Sequence, residues 1–448
     1  MTEFRRNELV NFIQNGAKSP PPVFVGRQDI IEDILDKSRH AFKRGGAAPG
    51  NTIIIQGAPG AGKTSILTEV SQRETQEENA PRIVVVTNDE IMNRRPEVMT
   101  AIAVAASKPK NEWFTALKTK GTDLGQRIGN VSFLSFSADF AQITQQRDPV
   151  DLYTLARMIP SDKWVHPVIL AIDEAQRFEE TRNSPPARFL QSIHDANQVS
   201  LPLTLLFAGL SDTQYRVNEM GITNGIAALT VDVLNGQEQT QVIDGFCTYF
   251  GVDVGSQRKT LHTFFESTDG WPRHIFWAQQ ALAEILFQPE VNGNLDRITD
   301  WAIAEQRRDQ FRIGYYEDRR SLALKRSKKL VGAVMKTVDL YNNRGTKIDF
   351  PDIGDKIEYF TKQFKSCGRG WRVPESFGSG ESGIDRYIEH LIHQGALVED
   401  VWSDTYRCPI PSFQSHLIER AGFTPVETAE LEQKLAADLP DNNDGYEP

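Results

Sequence analysis

A short glycine-rich stretch that ends in a lysine and a threonine lies between two apolar segments of the sequence. It reads GAPGAGKT over residues 57–64 and follows a β-branched run at residues 53–55. Glycine lets the backbone approach a ligand closely, and the N–H groups at the start of a helix attract negative charge. A lysine and a hydroxyl at the end of such a loop suit the outer phosphates of a nucleotide and its Mg²⁺ ion. The spacing therefore predicts a phosphate-binding loop between a strand and a helix.

The residues of this loop have distinct predicted roles. Lys63 reaches the β- and γ-phosphates, and the hydroxyl of Thr64 is a predicted Mg²⁺ ligand. A plain glycine turn is the alternative, but it gives no reason for the Lys-Thr pair. The predicted nucleotide contacts of the loop are Gly57, Pro59, Gly60, Ala61, Gly62, Lys63, Thr64 and Ser65.

Two adjacent carboxylates follow a second apolar segment. VILAIDEA, at residues 168–175, shows no polar alternation, which is typical of a strand buried on both faces of a parallel sheet. It places Asp173 and Glu174 at the carboxyl end of the strand, where open α/β sheets bind ligands. In phosphate-loop proteins an aspartate here completes the Mg²⁺ shell and a glutamate polarises the attacking water. An acidic turn after a core strand is the structural alternative.

Three further apolar segments complete the predicted core. Strands are expected at residues 83–87, 203–208 and 228–233. Ser211 follows the second of them and is the preferred sensor of the γ-phosphate, with Asp212 as the second choice. A serine after a strand can equally cap a helix. The predicted fold class is α/β, with the three-layer parallel-sheet core of a phosphate-loop NTPase.

Composition restricts the class of protein. The 448 residues are 39% hydrophobic and 25% charged, without an apolar run of the length needed to span a bilayer. The polar start MTEFRRNELVNF does not resemble a secretory signal, so we expect a cytoplasmic protein without membrane contact. Cys247, Cys367 and Cys408 lack metal-type spacing and are expected to be structural. A net charge of −10 argues against a surface that coats nucleic acid indiscriminately.

The order of the patterns divides the chain into segments. A helical lid is expected from helices at residues 238–250, 257–265, 272–287 and 296–311. Helices at 330–341, 353–364, 383–394 and 412–420, with short strands at 395–400 and 405–410, predict a winged-helix arrangement. The predicted segments are an N-terminal arm and Pro-rich elbow (1–22), a nucleotide-binding core (23–235), a lid (236–318), a winged-helix domain (319–423) and an acidic, partly disordered tail (424–448).

This motif order resembles that of the AAA+ superfamily. The motifs follow one another in a fixed order: FVGR at residues 24–27, the phosphate loop, VILAIDEAQ, LLFAGLSDT, and then helices that open with GWPRHI. The pattern is most similar to the branch that holds replication-initiator ATPases, transposition-regulator ATPases and STAND signalling ATPases, and it covers residues 20–312. The resemblance implies ATP and Mg²⁺ as cofactors.

The resemblance also implies roles for single residues. Val25, Gly26 and Arg27 look like the segment that packs on the adenine base. Asp173 and Glu174 match the pair that organises the metal and promotes hydrolysis. Arg273 stands where a second sensor arginine approaches the γ-phosphate from the lid, although a solvated helix-start cation is the alternative. Trp271 is expected to pack in the core.

One departure from the family concerns the arginine that completes a neighbour's site. Many relatives carry it just before the fifth strand, but residues 221–229 read GITNGIAAL, without an arginine. The nearest candidates are Arg216, Arg182 and Arg188. Such an arginine contributes strongly to phosphoryl transfer, so its absence predicts slow hydrolysis or a switch-like cycle. Assembly into an active ring is therefore not assumed, and the oligomeric state stays open.

Three functions fit these patterns. The first is a DNA-associated ATPase whose winged helix engages duplex DNA, although residues 321–423 carry 15 basic and 13 acidic residues and so little net charge. The second is a STAND-like signalling or defence switch that recruits a separately encoded effector through protein contacts. The third is a scaffold that keeps nucleotide without hydrolysing it, which gives Glu174 no purpose. The basic residues that favour DNA are Lys325, Arg326, Lys328, Lys329, Arg369 and Arg372, beside Trp371.

Overall fold

The structure is a computed structural model, and its contacts divide the chain into two compact units, Met1–Gln310 and Phe311–Pro448. It describes residues 4–15, 23–43, 52–76, 81–95, 98, 101–102, 105–106, 164–178, 182–197, 202–345, 347–400 and 405–437. The predicted Pro-rich elbow, most of residues 96–151 and the tail beyond residue 437 lie outside these ranges. No helix of the described part is both long and apolar enough to cross a bilayer.

A parallel sheet of five strands forms the centre of the first unit. Its spatial order is β2-β3-β4-β1-β5, and each neighbouring pair is parallel. Every residue of β1 and β4 is buried, as the unbroken apolar runs of these segments predict for strands covered on both faces. The strands are β1 (Thr52–Gln56), β2 (Arg82–Thr87), β3 (Val168–Asp173), β4 (Leu203–Gly209) and β5 (Ile226–Thr230).

The prediction of the fifth strand was displaced by about two residues. It was placed at residues 228–233, whereas β5 ends at Thr230. β5 is an edge strand that pairs with β1 alone, and Gln56, the last residue of β1, lies opposite Thr230. The backbone of Val231 still donates to the Gln56 carbonyl at 2.7 Å, but beyond it β1 offers no partner because the glycine-rich loop begins. The partner strand therefore fixes where β5 ends.

The helices up to Arg319 include the segment that the sequence predicts to be a lid, and the last of them continues past Gln310 into the second unit. The predicted lid helix at 296–311 was wrong at its start, since residues Leu295–Arg297 form a 3-10 turn instead. Asp296 there accepts hydrogen bonds from Ser256, and the helix begins only where Asp300 accepts from the N–H of Ala302 at 2.9 Å. The helices are α1 (Arg6–Asn15), α2 (Gln28–Lys43), α3 (Lys63–Gln76), α4 (Asn88–Asn93), α5 (Pro185–Asn197), α6 (Thr213–Glu219), α7 (Gly236–Phe250), α8 (Arg258–Glu266), α9 (Pro272–Leu286) and α10 (Ala302–Arg319).

The N-terminal arm helix α1 packs against the lid. Phe12 is buried, and its ring lies 5.9, 5.7 and 5.3 Å from the rings of Phe246, Phe250 and Phe276. The backbone N–H of Arg5 donates to the carbonyl of Phe250 at 2.9 Å. Aromatic rings in such tilted and edge-on pairs stabilise a contact beyond their buried area. The arm is thus part of the lid's own core.

The second unit contains helices around a small hairpin. β6 (Val398–Asp400) and β7 (Thr405–Arg407) are antiparallel, and the N–H of Tyr406 also donates to the carbonyl of Ile348 at 2.8 Å. The predicted helices of this region are confirmed within about three residues. The helices are α11 (Leu322–Arg326), α12 (Lys328–Asn343), α13 (Phe350–Gln363), α14 (Glu381–His393), α15 (Pro411–Ala421) and α16 (Pro425–Ala437).

One buried carboxylate joins the start of the acidic tail to the interior of this unit. The acidic tail contains the helix α16, in which Glu427 is only 4% exposed. Its carboxylate accepts hydrogen bonds from the Lys329 ammonium at 2.6 Å, from Trp371 Nε1 at 2.7 Å and from the N–H of Thr424 at 2.7 Å. Trp371 is fully buried and stacks on Phe364 at 4.0 Å. Trp371 therefore lies in the interior, and the half-buried Lys329 is paired with Glu427.

This pairing makes the stability of the second unit depend on pH. Burial alone would raise the pKa of Glu427, but hydrogen bonds from Lys329, Thr424 and Trp371 lower it to about 2. A depressed carboxylate pKa contributes stability above the unfolded-state pKa of about 4.3, and that contribution is lost as the pH falls toward 2.

We expect Glu427→Gln to lower the free energy of unfolding by about 2–4 kcal/mol at pH 7, because it leaves the buried Lys329 ammonium without its counter-charge. Urea unfolding followed between pH 7 and pH 2 measures this, and the difference from the unmodified chain should shrink below about pH 4. Glu430→Gln, on the exposed side of the same helix, is the control and should change stability by less than about 0.5 kcal/mol. Equal effects of the two variants would contradict the assigned role of the buried carboxylate.

Candidate functional site

The glycine-rich loop joins the end of β1 to the start of α3. Gly60 and Gly62 have φ values of +89° and +98°, which side chains rarely adopt. A Cβ at Gly57 would collide with the carbonyl oxygen of Val231, so only glycine fits there. The N–H of Gly57 donates to the carbonyl of Gly209 at 3.3 Å, which joins the loop to the end of β4. Neighbouring strands thus fix the start of the loop.

Lys63 is the first residue of α3 and turns back over the loop. Its ammonium donates to the carbonyl oxygens of Gly57 at 2.7 Å and Ala58 at 3.1 Å. The cation therefore lies within the curve of the loop, at the amino end of a helix of 14 residues. A lysine and the free N–H groups of a helix start in this arrangement form an anion-binding site.

Thr64 and Asp173 are brought into direct contact. The Thr64 hydroxyl donates to Asp173 Oδ2 at 3.0 Å, although the two residues are 109 positions apart in sequence. β4 separates their strands, but Gly209 of β4 lies opposite Gln56 of β1 and Ala208 lies opposite Asp173. All these strand ends are therefore at the same edge of the sheet. A hydroxyl and a carboxylate are hard oxygen donors of the kind that Mg²⁺ takes beside phosphate oxygens.

Glu174 follows directly in an unusual backbone conformation. Its φ and ψ are +56° and +40°, the left-handed region that costs a residue with a side chain about 1 kcal/mol. The carboxylate forms an ion pair with Arg177, and its N–H donates to Asp173 Oδ1 at 2.9 Å. The side chain is 48% exposed. The Glu174 carboxylate, which is the candidate general base, therefore lies beside the guanidinium of Arg177 in the same turn.

The 3-10 turn after Glu174 is attached to the strands on both sides. Asn88, just after β2, donates from Nδ2 to the carbonyl of Arg177 at 2.9 Å. On the other side, Gln176 Oε1 accepts the N–H of Leu210, just after β4, at 3.3 Å. No sequence pattern predicts these roles of Asn88, Gln176 and Arg177. The only sequence signal for one of these contacts is the spacing of Glu174 and Arg177, which are three residues apart and so can form an ion pair within a short turn.

Ser211 lies next to this turn. It is 5% exposed and follows Leu210, the residue that Gln176 contacts. The helix α6 begins after Asp212, so the position that caps the helix is Asp212 and not Ser211. Asp212 also forms an ion pair with Arg216 at 3.4 Å. Ser211 is thus connected to the turn of the catalytic candidate, and its sensor role stays a prediction.

The segment predicted to meet the base lies against the first lid helix. Gly26 and Arg27 both have positive φ values, +79° and +60°. The N–H of Arg27 donates to Glu238 Oε1 of α7 at 3.3 Å, and its guanidinium donates to the carbonyl of Asp232. Burial lowers the pKa of Arg27, while the charges of Glu238 and Asp232 act in the opposite direction. Val25, half-buried, is held by this anchored turn.

The lid also reaches the phosphate loop. A Cβ placed on Gly62 would lie 3.9 Å from the Cβ of Pro272, the first residue of α9. Arg273 is the next residue, and its guanidinium lies 5.6 Å from the ring centre of Trp277. Trp271 is fully buried, as predicted. The structure therefore places Arg273 on the turn that faces the loop, with its charge directed at an aromatic ring.

Comparisons with known proteins bear on this geometry. A family model described as Schlafen group 3, DNA/RNA helicase domain, matches residues 50–207, about a third of the chain. No curated protein matches in sequence.

Solved structures match a larger share of the chain. The Walker-type ATPase PABY2304 of Pyrococcus abyssi is similar with a TM-score of 0.51 and 15% identity, over 88% of this chain and 97% of that one. Drosophila ORC bound to DNA matches with a TM-score of 0.39 and 11% identity, over 94% and 93%. The Aeropyrum pernix ORC1 protein in complex with DNA matches with 0.37 and 13%, over 95% and 98%. Together with the sheet and the loop, the first of these similarities shows that the core has the fold of phosphate-loop NTPases.

Proposed function

We propose that this chain binds ATP with Mg²⁺ and hydrolyses it slowly, as an AAA+ molecular switch whose nucleotide state controls the C-terminal winged-helix module. The contact between Thr64 and Asp173 is the observation that carries this proposal. Two oxygen donors from distant parts of the sequence meet beside Lys63, at the carboxyl edge of the sheet. A glycine turn followed by an unrelated acidic turn would give no reason for that meeting.

Each residue of the site has a distinct task in this proposal. The N–H groups of the loop and Lys63 bind the phosphates, and Thr64 and Asp173 hold Mg²⁺. The ion, when bound, neutralises charge that develops between the β- and γ-phosphates. Glu174 accepts a proton from the attacking water, which requires its carboxylate to leave Arg177. Ser211 and Arg273 are proposed to contact the γ-phosphate from the sheet and from the lid.

The lid is the element proposed to respond to the nucleotide. Its Pro272 lies close to Gly62 of the phosphate loop and its Glu238 accepts from the base segment, so it lies near both ends of the proposed site. Slow turnover is supported by the lack of an arginine in residues 221–229 and by the engagement of Arg216 with Asp212. We also propose a cytoplasmic location and assembly with further copies of the chain.

DNA-associated work is the preferred role of the switch. Its support is the match of residues 50–207 to a family described as a DNA/RNA helicase domain. A STAND-like signalling or defence ATPase with a separately encoded effector is the second candidate. It is favoured by the exposed face of α14, which carries Glu381 and Glu389 beside the half-buried Asp385 and suits a basic protein better than DNA.

Lys63→Ala should lower the affinity for ATP by about 100-fold or more, because a charge-assisted contact to the phosphates is lost. Isothermal titration calorimetry with Mg-ATP measures the change. Lys259→Ala, an exposed lysine on α8, removes the same charge and should leave the affinity unchanged. Equal affinities of Lys63→Ala and the unmodified chain would refute nucleotide binding by this loop.

Glu174→Gln should retain ATP and lower the turnover rate by about 10²–10⁴-fold, because the amide cannot accept the proton. Arg177→Gln removes the partner but keeps the carboxylate, so turnover should persist at or above the unmodified rate. Phosphate release and retained nucleotide are measured side by side for both variants. Normal turnover of Glu174→Gln would show that another group is the base.

Turnover with and without duplex DNA, and with and without a chelator, tests the switch itself. Removal of Mg²⁺ by the chelator should abolish phosphate release, because the charge that develops on the phosphates would no longer be neutralised. Duplex DNA should raise the rate if the preferred role is correct. Turnover that depends on Mg²⁺ but ignores DNA at low salt would leave the signalling function as the better proposal.

A further inference from the structure

The basic residues of two short segments, 325–329 and 365–372, separate into two sets. Lys329 is directed at Glu427 and lies inside the unit, with 17% of its side chain exposed. The others lie at the surface, where they are available to a partner. We refer to the second set as the basic surface, and its members are Lys325, Arg326, Lys328, Lys365, Arg369 and Arg372.

The segments that carry the basic surface contact one another. The turn Arg369–Trp371 packs on α11, on α12 and on the turn Lys365–Cys367. A Cβ placed on Gly370 would lie 3.3 Å from Lys329 Cγ, which shows how closely the turn approaches the start of α12. The buried Trp371 fastens this turn through its hydrogen bond to Glu427. The exposed cations therefore form one surface held in place by the buried pair beneath it.

Little negative charge lies near this surface. Residues 322–329 and 364–374 contain no aspartate or glutamate, whereas the whole chain has a net charge of −10. Lys325 lies 4.0 Å from Glu317, and Glu427 is already occupied by Lys329. Arg372 donates one hydrogen bond, to the carbonyl of Lys365 at 3.0 Å, which neutralises no charge. A compact group of cations in an acidic chain is a site for a polyanion.

The exposed face of α14 has the opposite character. In a winged-helix arrangement this helix stands where a recognition helix would enter the major groove. It exposes Glu381 and Glu389, with the half-buried Asp385 between them, and these carboxylates repel phosphates. Its one arginine, Arg386, donates to the carbonyl of Phe377 at 3.4 Å and to Ser382 at 3.1 Å. Duplex DNA would meet repulsion on this face.

We propose that the phosphate backbone of duplex DNA docks on the basic surface and not on the exposed face of α14. This proposal rests on the DNA-associated function proposed above and names the surface that would serve it. Contacts of arginine and lysine with phosphates position a duplex without reading its sequence. Binding through the basic surface is therefore independent of base sequence and steeply dependent on salt.

The test compares two triple variants of the full chain in a salt series with a labelled duplex, by fluorescence anisotropy. Arg326→Gln, Arg369→Gln and Arg372→Gln remove three charges from the basic surface. We expect at least a ~10-fold loss of affinity at low salt and a decrease of about 2–3 in the slope of log K against log salt. The matched control combines Lys362→Gln, Arg386→Gln and Arg420→Gln, three exposed cations of the same unit outside the surface.

The control should keep most of its affinity and slope, and both variants should unfold in urea at the same midpoint as the unmodified chain, which verifies that the second unit is folded. Equal losses in the two variants would show that only net charge matters and would overturn the basic surface. A loss confined to the control would place the duplex elsewhere on the unit. Undiminished binding by the first variant overturns the surface alone, whereas no binding by the unmodified chain overturns the DNA-associated function with it.

Discussion

The hydrogen bond between Thr64 and Asp173 depends on the level at which three strands end. β1 and β3 are not neighbours, so the register of each against β4 must bring their last residues to the same height. A shift of one residue in either pairing would move the partner by about 3.3 Å and would turn its side chain to the other face. The buried apolar faces of these strands prevent such a shift. The core of the sheet therefore determines the geometry of the site.

The turn that carries Glu174 is held by the same strand ends. Asn88 attaches it to β2 and Gln176 attaches it to β4, so a displacement at either end of the turn reaches a neighbouring strand. The left-handed conformation of Glu174 can persist because these attachments over-determine the turn. In the proposed function the Glu174 carboxylate exchanges Arg177 for a water molecule, and the anchored turn fixes the backbone during that exchange.

The sequence predicts the parts of the fold that local pattern determines. Unbroken apolar runs identified β1, β3 and β4, and the loop between residues 57 and 64 identified the site that Thr64 and Asp173 share. The parts that depend on a distant partner were not accessible in this way. The end of β5 is determined by the end of its partner β1, and the start of α10 is determined by the hydrogen bond that Asp300 accepts from Ala302.

Charge was the least reliable guide to the second unit. Lys329 and its neighbours have the same residue types, yet one ammonium lies buried on Glu427 and the others face solvent. The two partners are 98 positions apart, and no periodicity in either segment indicates the pair. The buried side of α16 was likewise not predicted from the acidic composition. Leu431 and Leu435 are too few to give this segment a clear hydrophobic pattern.

The N-terminal part of the chain contacts α7 near both of its ends. Residue 5 donates to the last residue of that helix, and Arg27 donates to Glu238 in its first turn. Any rotation of α7 must therefore carry the residues around Phe12 with it or break the aromatic cluster they form. A fusion or truncation at the amino terminus is therefore expected to alter the stability of α7, although the terminus lies far from Lys63 in the sequence.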